Sequence, residues 1–148
     1  MPFALAGLAM GPRAALAAEV TLPSPASLRA ELDAALKAGK PLVVMASLEG
    51  CPYCKLVRES YLAPMLRETG QPIVQLDTGS AAVVLDFAGR ATTHDQLLKA
   101  WGIKVTPTVL FFGKGAREAA PRLVGASIPD FYGAYLEQRV ATARASLG

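Results

Sequence analysis

The chain has 148 residues, 52% of them hydrophobic, which suits one globular domain with a proper core. Its formal net charge is +3 and the basic residues are scattered. With no run of Lys or Arg and no basic stripe interleaved with aromatics, the sequence argues against a nucleic-acid binder, and it carries no internal repeat, heptad array or low-complexity tract.

The opening stretch MPFALAGLAMGPRAALAAEV is almost entirely small and apolar, with no acid before Glu19 and one base, Arg13. Ala15-Leu16-Ala17 has the small-x-small pattern of a signal peptidase site. The apolar run from Phe3 to Met10 is far too short to span a bilayer. The positively charged start of a secretory signal is missing. Residues 1–17 are expected to be a signal peptide or a disordered apolar tail, and 18–148 a single domain.

Pro23-Ser24-Pro25 reads as a linker or turn. SLRAELDAALKAG then has helical periodicity, with Leu28, Leu32, Ala35 and Leu36 on one face, Ser27 as N-cap and Gly39 at the C-terminal cap. PLVVMAS, residues 41–47, is a continuous apolar run typical of a strand buried on both faces. The pattern is helical again from Tyr53 to Leu62, packing through Leu56, Val57, Tyr61 and Leu62, with Pro64 kinking or interrupting it. PIVQLD (72–77) is a second strand and AVVLDF (82–87) a shorter third. Thr93-His94-Asp95-Gln96 has capping-box form, so a helix is expected to about Trp101. TVLFF (108–112) is a strand, Gly113 and Gly115 mark a turn, and RLVG (122–125) is placed to pair antiparallel to it. Pro129 opens a last helix to about Ala145, with Phe131, Tyr135, Leu136 and Val140 assigned to one face. This order predicts an α/β fold, a central mixed β-sheet flanked by helices.

Both cysteines lie in EGCPYCKLVRES, at Cys51 and Cys54, where the first core strand gives way to a helix. A thiolate, not a thiol, attacks a disulfide, and a helix start lowers a cysteine pKa. Cys51 is therefore expected to be exposed and to attack, with Cys54 one turn in, more buried, resolving the mixed disulfide. A structural crosslink between residues so close closes too small a loop to stabilise much. Tetrahedral zinc takes four ligands, and the chain offers two cysteines and one histidine, His94, which is expected on solvated helix surface. No metal site is expected. A cysteine–histidine hydrolase lacks an identifiable orienting partner.

The second motif is KVTPTVLFF. A proline directly before a buried strand removes an amide donor. It either simply starts the strand or forms a cis peptide with Thr106. In the second case the Thr106 backbone lies beside the cysteines, free to pair with an extended substrate strand.

Taken together, PLVVMASLEGCPYCK, WGIKVTPTVLFF and RLVG before a last helix resemble the thioredoxin superfamily over roughly residues 26–145. The segment LDFAGRATTHDQLLKAWGIKVTPT is most similar to the secreted, SoxW-like thioredoxins associated with bacterial sulfur oxidation. The resemblance implies a thioredoxin fold, Cys51 as nucleophile, Cys54 as resolving thiol and a cis Pro107, with Pro52, Tyr53, Thr106 and Pro107 contacting substrate. It implies a protein-disulfide oxidoreductase, a monomer in the bacterial periplasm, acting on protein thiols and disulfides. It needs no cofactor beyond its own dithiol and draws electrons from a membrane thiol transporter.

Three departures stand out. Pro52-Tyr53 is the dipeptide of glutaredoxins, whereas typical thioredoxins carry Gly-Pro. Met45 stands where thioredoxins keep a buried aspartate, and Gly50 replaces the tryptophan before the first cysteine. Glu49 is the nearest carboxylate in sequence and a candidate acid/base, more readily read as a solvated charge beside the site. A glutathione-linked reductase and a non-catalytic copper- or thiol-binding module remain the alternatives. Gly113-Lys114-Gly115 is a poor substitute for the glycine pair that a glutathione site would need.

Overall fold

In the computed structural model, residues 19–127 and 129–148, with Gly7 and Gly11, are described. Apart from Gly7 and Gly11, the expected signal peptide or tail, including Ala15-Leu16-Ala17, lies outside the described residues.

Helix α1 spans Leu28–Lys37, and the Ser27 hydroxyl caps it by accepting the Ala30 N–H. Strand β1 (Leu42–Ser47) is buried along its whole length. Helix α2 (Pro52–Val57) runs through a π-helical turn, Arg58–Leu62, into α3 (Ala63–Thr69). Strand β2 (Ile73–Asp77) follows, then a hairpin of β3 (Val83–Leu85) and β4 (Ala91–Thr93), then α4 (His94–Ala100). Strand β5 (Thr108–Phe112), a single 3-10 turn, β6 (Glu118–Val124) and α5 (Pro129–Ala145) complete the order.

The main sheet is mixed, in the order β2-β1-β5-β6. β1 pairs parallel to β2, with Met45 opposite Gln75 and Ser47 opposite Asp77, and antiparallel to β5. Alternation along β1 divides the core in two. Val43 and Met45 face one cluster with Cys54, Val57, Tyr132 and Leu136, contributed by α2 and α5. Leu42, Val44 and Ala46 face the other, with Leu28, Leu32 and Leu98 from α1 and α4. The sheet is thus covered on both faces, which is why 41–47 reads as an uninterrupted apolar run.

The structure differs from the sequence expectations in four places. The helix after the cysteines does not end at Pro64 but continues to Thr69. The Ala63 N–H reaches back to the Arg58 carbonyl, and this wider turn accommodates the proline in the first turn of α3. Residues Ala91–Thr93 form a second hairpin strand against β3, too short to show periodicity. The buried stripe of α5 is Tyr132, Leu136 and Ala143, with Val140 packed beside it. Phe131 and Tyr135, 61% and 43% exposed, face outward because their spacing places them one position off that stripe. His94 is not solvated: it is 2% exposed, and its Nδ1 accepts the Asp77 N–H at 3.2 Å.

Candidate active site

The site forms where β1 ends. The Cys51 N–H closes a turn onto the Leu48 carbonyl, and Gly50 takes φ +78° to make it. Cys51 is then the N-cap of α2. Its Sγ accepts the Cys54 N–H at 3.2 Å, and Pro52, which has no N–H to leave unpartnered, takes the first helical turn. Pro52 and Tyr53 are exposed, Cys51 is half-buried, and Cys54 is 0% exposed.

The Thr106–Pro107 bond is cis. Thr106 lies against Cys51: its carbonyl accepts from the thiol at 3.8 Å and its hydroxyl is 3.9 Å from Sγ. Pro107 is buried, and its carbonyl accepts the Gly125 N–H at 2.7 Å, tying this loop to the end of β6. Among the described residues the Thr106 N–H has no hydrogen-bond partner.

The two thiols titrate in opposite directions. Burial opposes ionisation of Cys51 but is outweighed by hydrogen bonds from the Cys54 thiol and amide, the Thr106 hydroxyl and the Tyr53 backbone. Its pKa falls below the ordinary thiol value. Burial, joined by the neighbouring Cys51 sulfur, raises that of Cys54, against the Leu48 backbone and the Ser47 and Thr106 hydroxyls. The arrangement therefore offers one accessible sulfur able to ionise, backed by a protonated, buried one within a helical turn.

Beside Cys51 opens a cleft of about 1020 Å³, lined among others by Ser47, Glu49, Lys55, Arg58 and Asp77. Glu49 is exposed at it and makes no hydrogen bond to either cysteine among the described residues. Met45, 0% exposed, brings no polar atom beneath the pair. The sequence reading missed the polar residues on that side. Arg58 Nη1 donates to Ser47 Oγ at 3.3 Å and to Gln75 Oε1 at 3.1 Å, and Gln75 Nε2 donates to Asp77 Oδ1 at 2.7 Å. Two signals pointed to them: Ser47 is two residues beyond Met45 on one strand face, and Arg58 is four beyond Cys54 on one helix face.

The sequence matches the family described as Thioredoxin-like domain over residues 28–139. The fold is similar to mitochondrial thioredoxin 3 from Saccharomyces cerevisiae, at 16% identity and TM-score 0.51, covering 81% of this chain and 93% of that one. It is similar to the thioredoxin NaTrxh from Nicotiana alata, at 19% identity and TM-score 0.52, covering 84% and 96%. It is also similar to thioredoxin f from spinach chloroplast, at 20% identity and TM-score 0.53, covering 87% and 99%. No curated protein matches the sequence.

Proposed function

The chain belongs to the thioredoxin-like family, and from that premise we propose that it is a thiol–disulfide oxidoreductase whose Cys51/Cys54 dithiol reduces protein disulfides in the bacterial periplasm. The observation that carries this reading is the Cys54 N–H held on an accessible Cys51 Sγ at a helix start, 3.2 Å away.

Cys51 attacks as the thiolate. Its sulfur bonds to one client sulfur, the client disulfide breaks, and the other client sulfur leaves as a thiolate that takes up a proton. Cys54 then attacks Cys51 Sγ, the mixed disulfide breaks, the second client thiolate leaves, and a Cys51–Cys54 disulfide remains. The client gains two electrons and two protons. The dithiol is itself the redox group, regenerated by a membrane thiol transporter. Glu49, exposed beside Cys51, is a candidate acceptor for the proton lost from the pair.

Client binding falls to Pro52, Tyr53, Thr106 and Pro107. The exposed aromatic ring of Tyr53 and exposed Val105 offer apolar contact. The Thr106 backbone offers an edge for an extended segment. The apolar opening stretch with Ala15-Leu16-Ala17 supports export across the inner membrane. No helix of the described residues is long and apolar enough to cross a membrane. The protein is proposed to work as a monomer.

Insulin reduction by dithiothreitol tests the activity. The protein is expected to speed precipitation of the insulin B chain, and Cys51→Ser to abolish the effect. Equal rates with and without the protein would sink the reading.

A further inference from the structure

Resolution of a mixed disulfide needs Cys54 as a thiolate, yet Cys54 is 0% exposed and lies among Met45, Val57 and Tyr132. The Leu48 backbone and the Thr106 hydroxyl favour that charge, and the other groups facing it limit what more can do so. Cys51 is its partner in the reaction and, once in a mixed disulfide, carries no charge. Tyr132 on α5 is buried, with its pKa pushed above the ordinary tyrosine range by burial first and by Cys54 and Tyr61 next, so it stays neutral. Met45 on β1 is apolar. Among the described residues, Arg58 is the cation tied to this face of the sheet by hydrogen bonds, and it is joined to β1 through Ser47.

Ser47 follows Met45 by one pleat on the face of β1 that looks toward Cys54. It is 2% exposed. Its hydrogen bonding has a fixed sense. A guanidinium has five donors and no acceptor, so Ser47 Oγ must accept from Arg58 Nη1 at 3.3 Å. The hydroxyl hydrogen of Ser47 is thereby turned away from Arg58 and left to find another acceptor. On the Cys54 side, the Leu48 backbone favours the ionised sulfur first, the Ser47 hydroxyl next and the Thr106 hydroxyl after it. Arg58 is held in turn: it also donates to Gln75 Oε1 at 3.1 Å, and the Gln75 amide is fixed by Asp77 at 2.7 Å. Gln75 and Asp77 sit on β2 in register with Met45 and Ser47, so the whole network lies on one sheet face. Arg58 opens the π-helical turn, and such turns are frequent at functional sites.

We propose that Ser47, held by Arg58, donates its hydroxyl hydrogen to Cys54 Sγ as that sulfur attacks, so that Ser47 is a catalytic residue and Arg58 a positioning residue of the resolving step. The assignment rests on the dithiol reading above. In the step, Cys54 Sγ bonds to Cys51 Sγ and the bond from Cys51 to the client sulfur breaks. The electron pair leaves on the client sulfur, and the Cys54 proton passes through solvent in the cleft that Ser47, Glu49 and Arg58 line, where the Glu49 carboxylate can take it up. Arg58 polarises the Ser47 hydroxyl, which strengthens its bond to a thiolate over its bond to a thiol.

Mixing the reduced protein with excess Ellman's reagent in a stopped-flow instrument separates the two steps. The first equivalent of thionitrobenzoate reports attack by Cys51 and scales with reagent. The second reports attack by Cys54 and does not. In Ser47→Ala the second phase is expected to slow about tenfold at pH 7, the loss of one hydrogen bond to a charged group. Its pH midpoint is expected to rise while the first phase keeps its rate and midpoint. Ser47→Thr, which keeps the hydroxyl, restores the second phase. Arg58→Met shifts the second-phase midpoint in the same direction, with a normal first phase showing that the fold is intact. A Ser47→Ala or an Arg58→Met second phase that matches wild type at every pH overturns the proposal. A wild-type protein that releases only one equivalent overturns the dithiol reading itself, and this inference with it.

Discussion

Cys54 donates its backbone N–H to Cys51 Sγ at 3.2 Å, so the residue expected to resolve the reaction also stabilises the one expected to start it. The bond is local, one helical turn, and survives as long as the first turn of α2 does. It places the two sulfurs in unlike surroundings, one half-buried and ionisable, one fully buried and held protonated.

Reaction order follows from that asymmetry. Limiting iodoacetamide at neutral pH is expected to alkylate Cys51 before Cys54, with a pH midpoint below that of an ordinary thiol. Peptide mapping by mass spectrometry reads the order, and preferential labelling of Cys54 would reverse the assignment. Cys54→Ser is expected to accumulate mixed disulfides with client proteins, visible as reducible bands on gels.

The turn before Cys51 gives a second test. Gly50 holds φ +78°, with open space where a Cβ would go, so a substitution there is strained rather than crowded. Gly50→Ala is expected to cost about 1 kcal/mol, and Gly50→Asn less, because asparagine visits the left-handed region more readily. This also accounts for the missing tryptophan: a bulky residue at position 50 would have to leave the left-handed region and remake the turn onto Leu48. Urea denaturation measures both variants, and equal stability for Gly50→Ala and wild type would remove the strain argument.

Much of this was legible in the sequence because the signals were local. Residues 41–47 read as a buried strand since both faces of β1 are covered, and C-P-Y-C at the strand–helix junction marked the dithiol. The misreadings came from effects that are not local. Pro64 was expected to kink or interrupt the helix, and a π-helical turn laid down by earlier residues carries the chain through it to Thr69. Phe131 and Tyr135 were assigned to the same face as Leu136 and Val140 on apolar spacing, whereas the packing of Tyr132 and Leu136 against β5 and β6 chose a stripe one residue away from them. His94 was expected on solvated helix surface because it lies in a capping-box stretch, yet the Asp77 amide gives it a buried partner. Ser47 drew no notice, since a serine ending a strand is ordinary until Arg58 is seen to reach it.

That burial of His94 makes stability depend on pH. Burial lowers its pKa from the ordinary 6.5, with the Asp77 carboxylate working the other way. Well above pH 6.5 the imidazole is neutral in both folded and unfolded chains and contributes no pH dependence. Below it the unfolded chain takes up a proton that the folded chain resists, so stability falls as pH drops toward the folded value. The slope from this one group is at most about 1.4 kcal/mol per pH unit. Urea titrations at pH 7.5 and 5.5 should show the loss in wild type and a smaller one in His94→Asn, which keeps an acceptor near the Asp77 N–H. The same loss in both proteins would assign it to other groups.

The reduction potential of the Cys51–Cys54 pair is expected to lie above that of ordinary thioredoxin. Stabilising the Cys51 thiolate stabilises the reduced form, and stabilising the reduced form raises the potential. Burial of Cys54 works only weakly against this, because Cys54 stays a neutral thiol in the reduced protein at pH 7. Met45 leaves no carboxylate beneath the pair to repel a thiolate, and Pro52-Tyr53 is a glutaredoxin dipeptide. Those couples lie at roughly −200 to −230 mV, against about −270 mV for thioredoxin and about −120 mV for a strong periplasmic oxidant. Equilibration against glutathione buffers, quenched and read by alkylation, measures the value directly. A result at or below thioredoxin's would mean that Cys51 thiolate stabilisation is offset elsewhere in the pair. A result near about −120 mV would make the protein an oxidant of clients and replace the reductase reading, since a couple that oxidising could not keep client disulfides reduced.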